Sequence, residues 1–154
     1  MDVPNVSSTE LFSRVQNYFT YNYVSGKDVI QTENKELGMI VGKGVWEKVH
    51  IGASILTTYV DTWHIVRVDV KEGRARIVIT LSTYHKKIVG GNTAPIISDT
   101  SVSNEYPINP KGANKTIMLK SFYKSCLKAK DTISAIENAL KGGSVSESLE
   151  NDNW

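Results

Sequence analysis

The sequence has few cysteines, no long apolar stretch and little net charge, which excludes several common kinds of functional site. Cys126 is the only cysteine among 154 residues, which excludes an intramolecular disulfide, a cysteine-based zinc site and a redox pair. A lone cysteine on a helix usually serves as a small buried hydrophobic residue. No apolar run approaches the roughly 20 residues that a membrane-spanning helix needs. The formal net charge is only +2, which is too small to indicate a nucleic-acid or an anionic-membrane partner.

Motifs of catalysis are missing as well. The chain has no Gly-x-Ser-x-Gly motif and no His-Glu-x-x-His motif. Its three histidines, His50, His64 and His85, are far apart in the sequence. Gly42 to Gly44 reads Gly-Lys-Gly but lacks the spacing and the following helix of a phosphate-binding loop. We interpret these glycines as sites of sheet curvature. The sequence therefore predicts a protein that is not an enzyme, with no cofactor and no metal site.

What the sequence does contain is a long β-hairpin from Tyr59 to Tyr84. Its two arms alternate apolar and polar residues with a period of two and are rich in β-branched side chains. Gly73 supplies the positive φ that a tight turn needs. If Lys71 faces Arg74, all the regularly spaced apolar residues fall on one face. These residues are Val66, Val68, Val70, Ala75, Ile77, Ile79 and Leu81.

The remaining pattern predicts helices and further strands around this hairpin. The predicted order is an extended N-terminal segment, a helix up to Gly26, strands over 27–33 and 37–51, the hairpin, a long loop over 90–114, and a helix over 116–141. This order favours an α+β fold, β-α-β-β-β-β-α, with two helices packed on one face of a curved antiparallel sheet of four to five strands. We expect a single domain over residues 1–141 and a disordered C-terminal tail over residues 142–154.

Two stretches of the chain resemble a known family. Val29 to Gly44 and Val66 to Arg76 are similar to the bacterial domain-of-unknown-function family with a TATA-box-binding-protein-like (TBP-like) fold, and the resemblance extends over about residues 3–141. It implies a TBP-like fold. Family members are often envelope lipoproteins, which implies a location in the cell envelope or periplasm, or a lipid anchor, if a leader has been removed. The family has no established activity, cofactor or catalytic residue, and its fold name does not imply DNA binding.

The face of the hairpin opposite the apolar one is the candidate functional surface, here called the open face. It carries Trp63, Arg67 and Arg76, and these residue types are enriched at protein interfaces. Trp46 joins them if its strand places its bulky residues on the same side. We expect this face to bind a protein, a peptide or a glycan.

Other interpretations of the same residues stay open. A structural or dimerisation domain would cover the open face with the 90–114 loop, the N-terminal segment or a second copy in a homodimer. An uncharacterised enzyme and a nucleic-acid binder are weaker alternatives, the latter because of the small net charge. Lys120, Lys124 and Lys128 form a basic row at helical spacing, which is typical of a solvated helix face and, second, of a site for an acidic partner.

Overall fold

A computed structural model describes residues 1–22, 29–53, 55–91, 93–105 and 115–142. The elements in these ranges are α1 (Ser8–Asn22), β1 (Val29–Asn34), β2 (Met39–Ala53), β3 (Thr57–Lys71), β4 (Arg74–Val89), β5 (Ile96–Ser101), α2 (Val102–Glu105) and α3 (Lys115–Leu140). The strands form one antiparallel sheet in the order β1-β2-β3-β4-β5. The predicted α+β class, with its antiparallel sheet and two long helices, is confirmed.

The central hairpin is formed by β3 and β4. Along β3, every even-numbered residue from Thr58 to Val70 is buried, and every odd-numbered residue is partly or fully exposed. Gly73 lies in the turn with a φ of 66°, the left-handed conformation that glycine adopts at little cost. The period of two in the sequence therefore separates a buried face from an open face, as expected for a half-buried antiparallel strand.

The N-terminal segment contributes backbone hydrogen bonds to the tip of this hairpin. The Val3 amide donates to the Gly73 carbonyl at 2.8 Å, and the Gly73 amide donates to the Val6 carbonyl at 3.0 Å. The sheet contact itself is an isolated bridge between Asp2 and Arg74. The predicted first strand is thus reduced to a single bridge, which leaves α1 as the first regular element.

The predicted loop over residues 90–114 contains a strand and a short helix. β5 pairs with β4 in antiparallel register, from Thr83 opposite Ser101 to Ile88 opposite Ile96. Its side chains are almost all exposed, so it has no alternation of apolar and polar residues to reveal it. Backbone pairing holds this strand, and the prediction of a loop without regular structure was wrong there. Residues 106–114 lie outside the described part of the chain.

The chain divides into two compact units. The first contains residues 1–44, 66–79 and 131–154, and the second contains residues 45–65 and 80–130. The single domain over residues 1–141 stays a prediction. Residues 143–154 of the predicted tail lie outside the described residues.

The core of the first unit lies between the buried face of the hairpin and two helices. α1 contributes five buried residues, Leu11, Phe12, Val15, Tyr18 and Phe19, which recur at helical spacing. The end of α3 adds Ile136 and Leu140, both fully buried. Arg14 of α1 donates from Nη1 to the Leu140 carbonyl at 2.7 Å. This bond satisfies one of the carbonyls that a helix C-terminus leaves without an intrahelical partner.

Gly42 of β2 lies against the aromatic ring of Phe19 in this core. A Cβ built at Gly42 would lie 2.9 Å from Phe19 Cδ1 and still closer to Cε1. Phe19 is fully buried, so its ring has little freedom to move aside. Close approach of a helix side chain is therefore a structural reason for this glycine, beyond the curvature that the sequence suggested.

The core of the second unit is more polar. Val49, Val60, Tyr84, Val102 and Met118 form its buried apolar cluster. Beside it, Thr62 of β3 and Ser125 of α3 are fully buried, and their hydroxyl oxygens are 2.8 Å apart. Ser125 donates its proton to the Ser121 carbonyl at 2.8 Å, so Thr62 is the donor to Ser125. A hydrogen-bonded hydroxyl pair thus links strand and helix in this unit.

Candidate binding surface

The strongest polar constellation on the open face is an ion cluster in the first unit, formed by Arg67, Asp69 and Arg76 and here called the arginine cluster. Arg67 contacts Asp69 Oδ1 through Nε and Nη2, both at 2.9 Å. Arg76 contacts Oδ2 through Nε at 3.0 Å and Nη2 at 2.9 Å. The Asp69–Arg76 pair crosses the hairpin as the predicted register requires. The Arg67–Asp69 contact joins two residues on the same side of one strand.

Asp69 organises the two arginines. Burial raises the pKa of its carboxyl, but the hydrogen bonds and charges of Arg67 and Arg76 outweigh that effect and hold the pKa below its ordinary value of 3.8. The carboxylate is therefore ionised at neutral pH. Its side chain is 16% exposed, whereas those of Arg67 and Arg76 are 48% and 68% exposed. One partly buried anion fixes two cations that remain accessible from solvent.

The surroundings of the cluster are also basic. An open depression of about 360 Å³ is lined by Asp69, Lys71, Arg74, Ala75 and Arg76. Three cationic side chains thus surround one carboxylate that is already paired. The sequence predicted Lys71 and Arg74 as a pair beside the turn but not as members of the binding site, because no pattern marks them as such. The net positive potential of this depression favours an anionic group.

The geometry of the arginines suits carboxylate recognition. Each guanidinium has five N–H donors in a planar fork, and each uses its Nε and Nη2 groups on Asp69. The Nη1 groups are left outside these ion pairs. Arginines held in this way can donate to the oxygens of a planar carboxylate with little further loss of side-chain entropy.

Trp63, the predicted aromatic member of the site, belongs to the second unit. It lies on β3 with the odd-numbered residues and is half-buried. The Ser82 hydroxyl donates to its backbone carbonyl at 3.1 Å, which fits the predicted pairing of these two residues. Its role in ligand binding stays a prediction.

Trp46 lies on the opposite face from the one considered for it. Its ring stacks on His64, with centroids 3.8 Å apart and planes 12° from parallel, and His64 is only 3% exposed. Trp46 also packs against the buried cluster that contains Val49 and Met118. The placement of Trp46 on the open face is therefore wrong, and the tryptophan contributes to the core of the second unit.

The alternation of buried residues along β2 changes at Lys48. Before it, Ile40, Gly42 and Gly44 are buried, and Trp46 follows them at the same period. Lys48 has a φ of 48°, and its amide donates to Asp61 Oδ1 at 2.7 Å. Trp46 and Val49 are three residues apart and would lie on opposite faces of a regular strand, yet both pack in one cluster. The positive φ of Lys48 between them changes the alternation, as a β-bulge does. The regular parity assumed for residues 41–51 could not reveal this change.

A second polar pair on the sheet was missed because β5 was not predicted. His85 Nδ1 lies 2.7 Å from Asp99 Oδ1, across the β4–β5 pair. A neighbouring depression of about 420 Å³ is lined by Glu47, Lys48, Tyr59, Asp61, His85, Lys87 and Val89. This mixed lining has both signs of charge and does not favour one class of ligand.

The remaining chemically active residues are dispersed. Among the residues that the structure describes, no group of three or more His, Cys, Asp or Glu could hold a metal ion. Burial raises the pKa of the Cys126 thiol, although Lys130 opposes that effect, so the reactive thiolate is disfavoured. No helix in the described ranges is long and apolar enough to cross a membrane.

Comparisons with known proteins agree with the fold. A TBP-like protein from Parabacteroides distasonis ATCC 8503 matches with a TM-score of 0.64 at 12% identity, over 92% of this chain and 88% of that one. A DUF4468 family protein from Bacteroides ovatus ATCC 8483 matches with a TM-score of 0.62 at 15% identity, over 91% and 82%. Identities this low support the fold alone. A search of curated proteins finds no match.

The family assignment comes from the sequence model of one family. That model, a domain of unknown function (DUF4468) with TBP-like fold, matches residues 1–85. The matched region contains α1, strands β1 to β3 and most of β4. It therefore includes the hairpin and the arginine cluster. The predicted family resemblance is confirmed, and the chain belongs to the DUF4468 family of domains with a TBP-like fold.

Proposed function

We propose that this domain is a non-enzymatic binding module of the cell envelope, and that its arginine cluster takes a carboxylate-bearing peptide or glycan. The observation that supports this function is the pair of exposed guanidinium groups fixed by the single carboxylate of Asp69. A purely structural ion pair needs only one cation for one anion. The second arginine leaves the cluster with a positive charge that a ligand can neutralise.

The energetics favour recognition at this cluster over a role in stability. Exposed ion pairs contribute about 0–1 kcal/mol to folding. A ligand carboxylate meets donors that Asp69 already holds in place, so it forms charge-assisted hydrogen bonds at little cost in side-chain entropy. Lys71 and Arg74 add positive potential around the same depression, which accelerates the approach of an anionic ligand.

Isothermal titration calorimetry with defined ligands tests this function. Two anionic probes, a glutamate-rich peptide and an oligogalacturonate, separate a peptide ligand from a glycan ligand. A glutamine-rich peptide and a neutral dextran serve as uncharged counterparts. We expect one anionic probe to bind, its neutral counterpart not to bind, and the affinity to fall as salt rises.

Paired variants locate the binding on the cluster. Replacing both arginines, Arg67→Gln with Arg76→Gln, should weaken binding by about 10- to 100-fold, because hydrogen bonds to the ligand's charged group are lost. Lys35→Gln removes a charge from an exposed position in the same unit and should leave affinity nearly unchanged. Equal affinity of the double-arginine variant and the wild type would contradict the site.

Trp63 is tested separately because it belongs to the second unit. If its indole contacts the ligand, Trp63→Ala weakens binding of the same probe by about tenfold, in the range of an aromatic contact at an interface. Thr80→Ala, on an exposed residue of β4 in that unit, is the control. Unchanged affinity of Trp63→Ala would restrict the binding site to the arginine cluster.

The envelope location rests on the family resemblance and needs its own test. Fractionation of the native bacterium, followed by detection with an antibody against the domain, should recover the protein with envelope or periplasmic fractions. Recovery with the cytoplasmic fraction alone would contradict the location and leave the ligand chemistry to be judged by calorimetry.

A further inference from the structure

The second unit carries an apolar stripe on the exterior of α3. Leu119, Tyr123 and Leu127 follow one another at intervals of four residues and are 38%, 64% and 41% exposed. Residues at this spacing lie next to one another on a helix surface. We call this set the outer stripe.

The core of the unit does not account for the outer stripe. The inward side of the same helix is formed by Met118, Ser121 and Ser125, which are buried. At about 100° per residue, Tyr123 points roughly 140° to 160° away from these side chains. Three large apolar side chains are therefore exposed on a helix whose buried side is already complete, an arrangement that indicates a further contact.

The same helical segment is strongly basic. Between Lys115 and Lys130 the chain has five lysines and no acidic residue. Lys120, Lys124 and Lys128 are exposed in a row beside the outer stripe. Burial lowers the pKa of His50, and the charges of Lys124 and Lys120 lower it further, as expected for an imidazole close to positive charge. The net charge of +2 for the whole chain conceals this local excess.

We propose that the outer stripe and the lysine row dock the second unit on an anionic lipid bilayer. Leucine and aromatic side chains flanked by lysine are the chemistry of helices that lie in the membrane interface. Each lysine close to an anionic surface adds electrostatic attraction, and the apolar side chains enter the headgroup region. This interaction uses residues separate from the arginine cluster, so it goes beyond the ligand binding proposed above.

A lipid surface fits these observations better than a protein partner. A stable protein interface buries about 800 Å² on each side, whereas the stripe offers only three side chains on the convex exterior of one helix. A bilayer needs no complementary groove, and its anionic headgroups match the unbroken positive charge of the segment. If the natural partner were an acidic protein helix instead, the protein would stay in the supernatant of the anionic vesicles in the experiment below.

Vesicle co-sedimentation of the full chain tests the proposal. One set of vesicles is pure phosphatidylcholine, and the other contains about 30% phosphatidylglycerol to supply anionic headgroups. We expect the protein to sediment with the anionic vesicles only, and the bound fraction to fall as salt is raised. Failure to bind anionic vesicles at low salt would overturn the proposal.

Three variants with three substitutions each separate the apolar contribution to vesicle binding from the electrostatic one. The serine variant carries Leu119→Ser, Tyr123→Ser and Leu127→Ser, and the glutamine variant carries Lys120→Gln, Lys124→Gln and Lys128→Gln. Each should reduce vesicle affinity at least about tenfold, because the first removes the apolar contact with the bilayer and the second removes the electrostatic attraction. A control with glutamine at Lys35, Lys43 and Lys87 loses the same charge at exposed positions elsewhere and should bind like the wild type.

Two results would contradict membrane docking even if some binding were seen. Full binding by the serine variant would mean that the stripe does not enter the bilayer. Concentration-dependent self-association in size-exclusion chromatography with light scattering, abolished by the serine variant, would assign the stripe to contact between copies. Circular dichroism establishes that each variant is folded, and these substitutions on exposed side chains should leave the spectrum unchanged.

Discussion

At the scale of single residues, the fold depends on a few close contacts that the sequence pattern does not show. Gly42 is the clearest case, because the ring of Phe19 occupies the space that a Cβ would need. The glycine was visible in the sequence, and so was the phenylalanine in its helical stripe. Their contact was not visible, because it depends on how α1 lies on β2.

Gly42→Ala is expected to lower the free energy of unfolding by about 1–3 kcal/mol, the usual cost of overpacking a core. Urea denaturation followed by circular dichroism measures this loss. In a Phe19→Leu background the additional cost of Gly42→Ala should shrink, because the smaller side chain leaves room. Strict additivity of the two changes would contradict the contact.

Asp69 is expected to make stability depend on pH. Its pKa is lowered in the folded state, so its contribution is fully present above the ordinary aspartate pKa and is lost as pH falls through the folded value. Asp69→Asn should therefore cost about 1 kcal/mol near neutral pH. At an acid pH below the folded pKa of Asp69, wild type and variant should converge. Urea denaturation at both pH values measures the difference, and an equal difference at both would contradict the assignment.

At the scale of elements, strong periodicity predicted well and weak periodicity did not. The hairpin and both long helices have apolar residues at a regular period, which predicts them from the sequence. The structure places them close to the predicted ranges. β5 is nearly all exposed, so only its backbone pairing reveals it. The change of alternation at Lys48 has no sequence signal either, and it brings Trp46 and Val49, expected on opposite faces, to one buried cluster.

The link between β3 and α3 in the second unit can be measured by a double-mutant cycle. Thr62→Val and Ser125→Ala should each cost about 1–2 kcal/mol, because each leaves a buried polar group with fewer partners. The double variant should cost less than the sum, with a coupling of about 0.5–1 kcal/mol or more. Unfolding free energies of the four proteins give the coupling, and a value of zero would contradict the hydrogen bond.

At the scale of the whole molecule, charge distribution matters more than total charge. The positive charges near the hairpin tip are partly neutralised by Asp69, and the lysines of α3 lie in the other unit. The sequence predicted the arginines as site residues because they stand on the open face of a regular hairpin. It could not predict how Asp69 fixes them, since the rotamers of long side chains depend on their neighbours.

Duplex DNA is expected not to bind this protein at about 0.15 M salt, because the lysine row aligns only three cations and so few phosphate contacts are weak at this salt concentration. Unlike a bilayer, a duplex also offers no partner for the outer stripe. Fluorescence anisotropy with a labelled duplex, titrated from low to physiological salt, measures this directly. Persistent binding with a steep salt dependence would show that the TBP-like fold serves a nucleic-acid partner here.

The buried bond between Thr62 and Ser125 also determines which way α3 faces. Turning the helix by a single residue, about 100°, would remove the Ser125 hydroxyl from Thr62 and bring Lys124 or Cys126 into its place, neither of which offers Thr62 a good acceptor. Each alternative orientation buries an unpaired threonine hydroxyl. One hydroxyl pair thus fixes the rotation of α3 about its own axis. Moving a single serine along the helix sequence would therefore change which residues α3 exposes.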